Sequence, residues 1–152
     1  MGKVYKRPES VLVVVYDTVG QVLLLRRRDP KGYWQSVTGS LEWGESSAAA
    51  AARELFEETG IATGFVEDCC HARWFTIYRR FLHRYRPGVT RNLEHVFRVR
   101  VSARHTVRLD SREHEAWCWV SRTEAVALAS SHTNRDAILK YVPAILKEGG
   151  GK

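Results

Sequence analysis

The sequence predicts one layered domain of the α+β or α/β class. Three observations carry that prediction. β-branched and alternating apolar runs lie on both sides of a single alanine-rich helical stretch. Shorter helical patterns are gathered near the C-terminus. The chain has 152 residues and 44% hydrophobic content, enough for one proper core. Residues 1–148 are expected to form this domain, with 149–152 a flexible tail.

The elements follow in order. Lys6 and Arg7 precede Pro8, whose ring disfavours helix before it, so the chain starts extended. Val11 to Tyr16 is a continuous β-branched run, expected as a strand buried on both faces. Asp17 to Gly20 makes a turn, and Val22 to Leu25 returns as a second strand. Arg26, Arg27 and Arg28 form a basic cluster before an Asp29-Pro30-Lys31-Gly32 loop. Trp34 to Val37 reads as a short strand. Ser46 to Thr59 reads as a helix, because alanines dominate it, Ser46 or Ser47 can cap its start, and Gly60 can take the left-handed stop. Phe65–Arg73 and Trp74–Phe81 are expected as two strands, followed by a loop holding Pro87-Gly88. Leu93–Val101 and Glu115–Val120 are further strands. Ser121 can cap a short helix. A last helix is expected from Thr133 or Asn134 through Tyr141, ended by Pro143, which lacks a backbone donor.

Composition excludes several classes. No apolar run reaches membrane-spanning length. The N-terminus lacks a signal-peptide pattern, so a cytoplasmic location is expected. The three cysteines, Cys69, Cys70 and Cys118, are odd in number and form no C-x-x-C, which argues against a disulfide or metal framework. A net charge of +7 suits an anionic partner, either a polyphosphate small molecule or a nucleic acid.

The stretch Gly39 to Ile61, GSLEWGESSAAAAARELFEETGI, carries the chemistry. On its helix, Glu54 lies three residues from Glu57 and four from Glu58, so the three carboxylates share one side. Arg53 is one turn from Glu57 and can brace it. Packed carboxylates repel unless a cation sits between them, and Mg2+ takes oxygen ligands of this type. A solvated acidic face with an i,i+4 ion pair would not require Gly39, Glu45 or Gly60.

This pattern resembles the signature of the Nudix hydrolases: G, five residues, E, seven residues, then R-E-U-x-E-E-x-G-U, with U a bulky aliphatic. Gly39, Glu45, Arg53, Glu54, Glu57, Glu58 and Gly60 fill the fixed positions, with Leu55 and Ile61 at the aliphatic ones. Seven such matches arise by chance roughly once in 10^8 placements. The resemblance implies an α/β/α sandwich with a mixed sheet. It also implies cleavage of a diphosphate linkage with Mg2+, or Mn2+ in its place. Glu54, Glu57 and Glu58 would be metal ligands. Arg53 would orient the glutamates, and Gly39 would let the backbone pass close to the metal. A glutamate outside the signature often joins such sites as ligand or base, and Glu113 is the candidate.

Further segments resemble the folate-pathway branch of this family: VYKRPES, YWQSVTGS, HRYRPGVTRN and TNRDAI. That resemblance implies 7,8-dihydroneopterin triphosphate as substrate. Lys6 and Arg27 would meet its phosphates or polar ring edge, and Thr38 would contact it. Phe75, Thr76, Ile77 and Tyr78 would line a pterin pocket closed by Ser131. His83, His95 and His114 show no ligand spacing and are expected at the surface or in hydrogen bonds. The expected partner is a small-molecule triphosphate, not a membrane or a nucleic acid. Two other enzyme readings stand beside it. One is a broader pyrophosphohydrolase for dATP or oxidised purine nucleotides. The other is an RNA 5′-end pyrophosphohydrolase or RNA-binding protein, motivated by the arginines around Tyr85 to Arg91. A non-catalytic sensor is disfavoured by the intact glutamate set.

Overall fold

The computed structural model describes residues 2–62, 65–103 and 105–144; the predicted tail, 149–152, lies outside them. Among the described residues, seven strands and three α-helices follow one another: β1 Glu9–Asp17, β2 Val22–Arg27, β3 Trp34–Gln35, β4 Val37–Ser40, α1 Ser47–Thr59, β5 Glu67–Thr76, β6 Arg91–Val101, β7 His114–Val120, α2 Arg122–Leu128 and α3 His132–Tyr141. A 3-10 helix, Arg79–Arg84, stands between β5 and β6.

The strands form one mixed sheet in the order β3-β2-β1-β6-β5, with β4 paired to β1 and β7 to β2. β1 and β6 run parallel over their length, from Glu9 beside Leu93 to Asp17 beside Val101. The other pairings are antiparallel. The valine run of β1 is buried throughout because successive side chains enter different cores. Val11, Val13 and Val15 pack with Ala50, Ala51 and Leu55 of α1. Leu12 and Val14 pack with Ala125 of α2 and Ala137 and Ile138 of α3. The result is the expected sandwich of helix layers around a sheet.

α1 is capped as its sequence predicts. Ser46 accepts a hydrogen bond from the Ala49 amide, and Gly60 adopts the left-handed conformation at φ 77°. α2 starts with a capping box, in which Ser121 and Glu124 satisfy each other's backbone N–H groups. The two strands expected between Phe65 and Phe81 are instead one. β5 absorbs a bulge between Asp68 and His71, where Cys70 takes φ 52°, and pairs with β6 as far as Thr76. The chain then turns at Tyr78, whose carbonyl accepts the Phe81 amide, so residues 79–81 are 3-10 helix and not strand. Period-two patterning carries no mark of such a bulge.

Candidate active site

α1 and β4 build the site between them. Gly39 of β4 pairs with Val11 and faces α1. The Glu54 carboxylate lies against its Cα, and a Cβ there would overlap all three carboxylate atoms. The signature glycine is therefore a seat for a glutamate, one reason for its small size beyond the expected approach to a metal.

Arg53 ties the signature together. Its Nε and Nη2 donate to Glu45 at 2.8 Å each, Nη1 donates to Glu54 at 2.9 Å and to Glu57 at 3.3 Å, and Nη2 also reaches the Ser40 carbonyl at 3.1 Å. Hydrogen bonds from Arg53 hold the Glu45 carboxyl down at about 2, and the same partners push the guanidinium further up. Glu45 also accepts the Glu42 amide at 2.9 Å. Arg7 binds the Glu42 and Glu45 carbonyls at 3.0 and 2.8 Å, and Trp43 donates to the Tyr5 carbonyl at 2.7 Å. The N-terminal segment thereby fixes the loop before α1. Neither Arg7 nor the Glu45–Arg53 pairing was legible as a helix-face argument, because both join residues across loops.

Glu58 is 2% exposed, and neither carboxylate oxygen has a hydrogen-bond partner. Burial, Glu54 and Glu113 together raise its pKa well above the usual carboxylate range. Burial also raises that of Glu54, against the pull of Arg53. Two adjoining carboxylates, both largely buried and one of them orphaned, are a donor set suited to a hard divalent cation. Glu57 is different: half its side chain is exposed, and Arg53 holds it. Among the described residues, no three acidic, histidine or cysteine side chains close on one point as a ready-made metal cage.

Of the outlying candidates, Lys6, Glu113 and Thr38 lie within reach of the acidic cluster. Burial lowers the pKa of the Lys6 ammonium, which Arg84 and Arg27 also lower and Glu54 and Glu113 oppose. Glu113 is exposed on the turn before β7, and its carbonyl accepts the Arg28 amide at 3.0 Å. The Thr38 backbone lies near Glu58 and pulls its pKa down, against the larger effect of burial. Thr76, Ile77 and Tyr78 line an open groove of about 530 Å³ with Arg79, Leu82 and Thr90. Phe75 is half-buried, and Ile77 is shielded by the chain around it. Ser131 caps α3 by accepting the Asn134 amide at 3.1 Å.

Two residues take roles the sequence did not suggest. His114 was expected at the surface or in a hydrogen bond. It is fully buried instead, its ring nitrogens lack partners, and Nε2 lies 3.8 Å from Glu58. Burial, aided by Arg27, pushes its pKa down to about 4, so the ring is neutral at pH 7. Tyr33 is also drawn in. Its hydroxyl sits among Tyr78, Ser131 and Arg27, and burial raises its pKa. An aromatic next to Trp34 in a loop gave no sequence signal of its own.

The NUDIX domain matches residues 6–142. The chain belongs to the Nudix hydrolases, pyrophosphohydrolases that generally use divalent metal ions. It is 43% identical over 145 residues to the dihydroneopterin triphosphate diphosphatase of Escherichia coli K12, covering 92% of this chain and 95% of that protein. It is 39% identical over 144 residues to the Haemophilus influenzae protein of the same name, covering 91% and 89%. The solved structure of the E. coli dihydroneopterin triphosphate pyrophosphohydrolase superimposes with a TM-score of 0.84 over 92% of this chain and 98% of that one. Among the described residues no helix is long and apolar enough to cross a membrane.

Proposed function

We propose that this chain, acting as one domain over residues 1–148, hydrolyses 7,8-dihydroneopterin triphosphate to the monophosphate and pyrophosphate, with Mg2+ as its metal. The likeness to the E. coli enzyme, 43% identity across 92% of this chain, carries the reading. The orphaned Glu58 and the Glu54 carboxylate seated on Gly39 support it.

Glu54 and Glu58 would hold the metal, with Glu57 and Glu113 at its edge. A metal held there would supply charge neutralisation at the phosphate oxygens and a more acidic water. The chain's own groups do the rest. Arg53 keeps Glu54, Glu57 and Glu45 in register, so the carboxylates are set before substrate arrives. Lys6 and Arg27 are cations at the rim of the acidic cluster and meet the phosphates. Glu113, exposed beside them, takes the proton of the attacking water. Water adds its oxygen to phosphorus, the P–O bond between monophosphate and pyrophosphate breaks, and pyrophosphate leaves. Thr38, Phe75, Thr76, Ile77, Tyr78 and Ser131 hold the ring end.

Incubation with Mg2+ and 7,8-dihydroneopterin triphosphate should release pyrophosphate and no orthophosphate. Absence of turnover, alongside rapid cleavage of dATP, would overturn the assignment in favour of a nucleotide pyrophosphohydrolase.

A further inference from the structure

Two carboxylates among the described residues hold buried oxygens without a hydrogen-bond partner. Glu58 belongs to the acidic cluster. Glu94, on β6 inside the sheet, takes no part in that cluster. It is 5% exposed, and its Oε1 is unpartnered.

Its neighbours are committed elsewhere. Glu94 sits beside Ser10 of β1 and opposite Arg73 of β5. Asn92, two residues before it, donates Nδ2 to Ser10 Oγ at 2.7 Å. The Arg73 guanidinium is turned to Asp136 of α3 at 3.3 Å. Burial raises the Glu94 pKa to about 7, and the charge of Arg73 opposes this only in part. An unsatisfied buried carboxyl is costly, and native structures rarely keep one without a use.

Its location suggests the use. Side chains alternate across a strand, and Glu94 shares the α3-facing side with Val96 and with Leu12 of β1. Thr38 pairs with Leu12, and Asn92 pairs with Phe75, so both flank this strip. Asn134, at the start of α3, bonds Ser36 just before β4, which ties α3 to this side of the sheet. Ser10, Asn92 and Glu94 thus form a buried polar strip on the α3-facing side of β1 and β6, between Thr38 of β4 and Phe75 of β5. A ring held by Thr38 and Phe75 would lie over it.

The chemistry of the ring fits this carboxylate. A 2-amino-4-oxo-pyrimidine edge, common to pterin and guanine, presents a ring N–H and an amino N–H side by side. A carboxylate accepts both at once. Adenine presents an amino N–H beside a ring acceptor, which sets lone pair against lone pair. We infer that Glu94 is the specificity residue of this site, accepting the ring N–H and the 2-amino group of the substrate and selecting 2-amino-4-oxo rings over adenine. The inference rests on the proposed function for the place of the ring.

The test is Glu94→Gln, which keeps shape but replaces one acceptor by a donor. Calorimetry on metal-free protein would measure binding of 7,8-dihydroneopterin, without phosphates, and of inorganic pyrophosphate. The variant should weaken dihydroneopterin roughly ten- to a hundredfold and leave pyrophosphate unchanged. The ratio of kcat/KM for dGTP over dATP should fall about tenfold or more, through KM. Unchanged dihydroneopterin affinity and an unchanged ratio would overturn the inference, while wild-type turnover of dihydroneopterin triphosphate would leave the proposed function standing. Conversely, a wild type that ignores the pterin but prefers dGTP to dATP, with that preference lost in the variant, would sustain Glu94's role and sink the pterin reading. Should Glu94→Gln fail to fold by circular dichroism, Glu94→Asp, which withdraws the carboxylate by one methylene, must show the same loss of ring affinity.

Discussion

Replacing Gly39 by alanine is a sharp test of how the signature works. An alanine Cβ would overlap the Glu54 carboxylate, and ordinary contact begins only near 3.4 Å. The carboxylate must therefore retreat by on the order of 1 Å, a displacement that costs roughly 10^2-fold in rate when it misplaces reacting groups. Overpacking should also lower stability by about 1–3 kcal/mol. Both effects act through one side chain, which sets up a cycle. In a Glu54→Ala background the space is empty, so Gly39→Ala should lose its stability penalty. Urea unfolding of the four proteins measures the coupling, and pyrophosphate release gives the rate of the single variant. Equal penalties for Gly39→Ala in both backgrounds would show that the glycine serves backbone conformation and not the seating of Glu54.

Other outcomes follow from the same geometry. Arg53→Lys cannot reproduce a fork that binds Glu45 and Glu54 together, so kcat should drop by ten- to a hundredfold or so, with helix content unchanged by circular dichroism. Asn134→Ala leaves the Ser36 amide and hydroxyl buried without partners and should cost about 2–4 kcal/mol in urea unfolding. EDTA should stop hydrolysis while leaving the circular dichroism spectrum intact, since the cores lie outside the acidic cluster. Glu94 makes stability fall with rising pH. Its folded pKa, about 7, lies above the ordinary 4.5, so its contribution is full below about 4.5 and is lost as pH climbs through 7. Glu94→Gln should match the wild type near pH 4.5 and exceed it at pH 8 by on the order of 3 kcal/mol, read from urea midpoints.

What the sequence revealed depended on how local the physics was. α1 was legible end to end, because its propensity, its Ser46 cap and its Gly60 stop all lie within one stretch. The buried β1 was legible from its unbroken aliphatic run, Val11 to Val15. β5 was not, since a bulge at Asp68 to His71 shifts the alternation and hides one strand as two. The glutamates Glu54, Glu57 and Glu58 declared themselves by helical spacing. His114 did not: its neighbour Glu58 is far away in the chain, and only folding brings β7 against α1. Tyr33 and Arg7 were missed for the same reason, as their partners are reached across loops.

The same distinction separates reaction from substrate. The acidic cluster and its Arg53 brace come from the 23 residues Gly39 to Ile61 and face the α1 side of the sheet. The polar strip at Ser10, Asn92 and Glu94 draws on β1 and β6, lies beside β5 and α3, and faces the other side. β4 is the wall between them: Gly39 seats Glu54 toward α1, while Thr38, one residue earlier, pairs with Leu12 on the α3 side. A strand's alternation thus lets adjacent residues serve separate tasks. Substitutions on the α1 side should then act on kcat for every triphosphate alike. Substitutions on the α3 side should act on KM and on the ranking of rings. A change at Glu94 that lowered kcat equally for dGTP and dATP would contradict that division, because it would mean that the strip reaches the reacting phosphates.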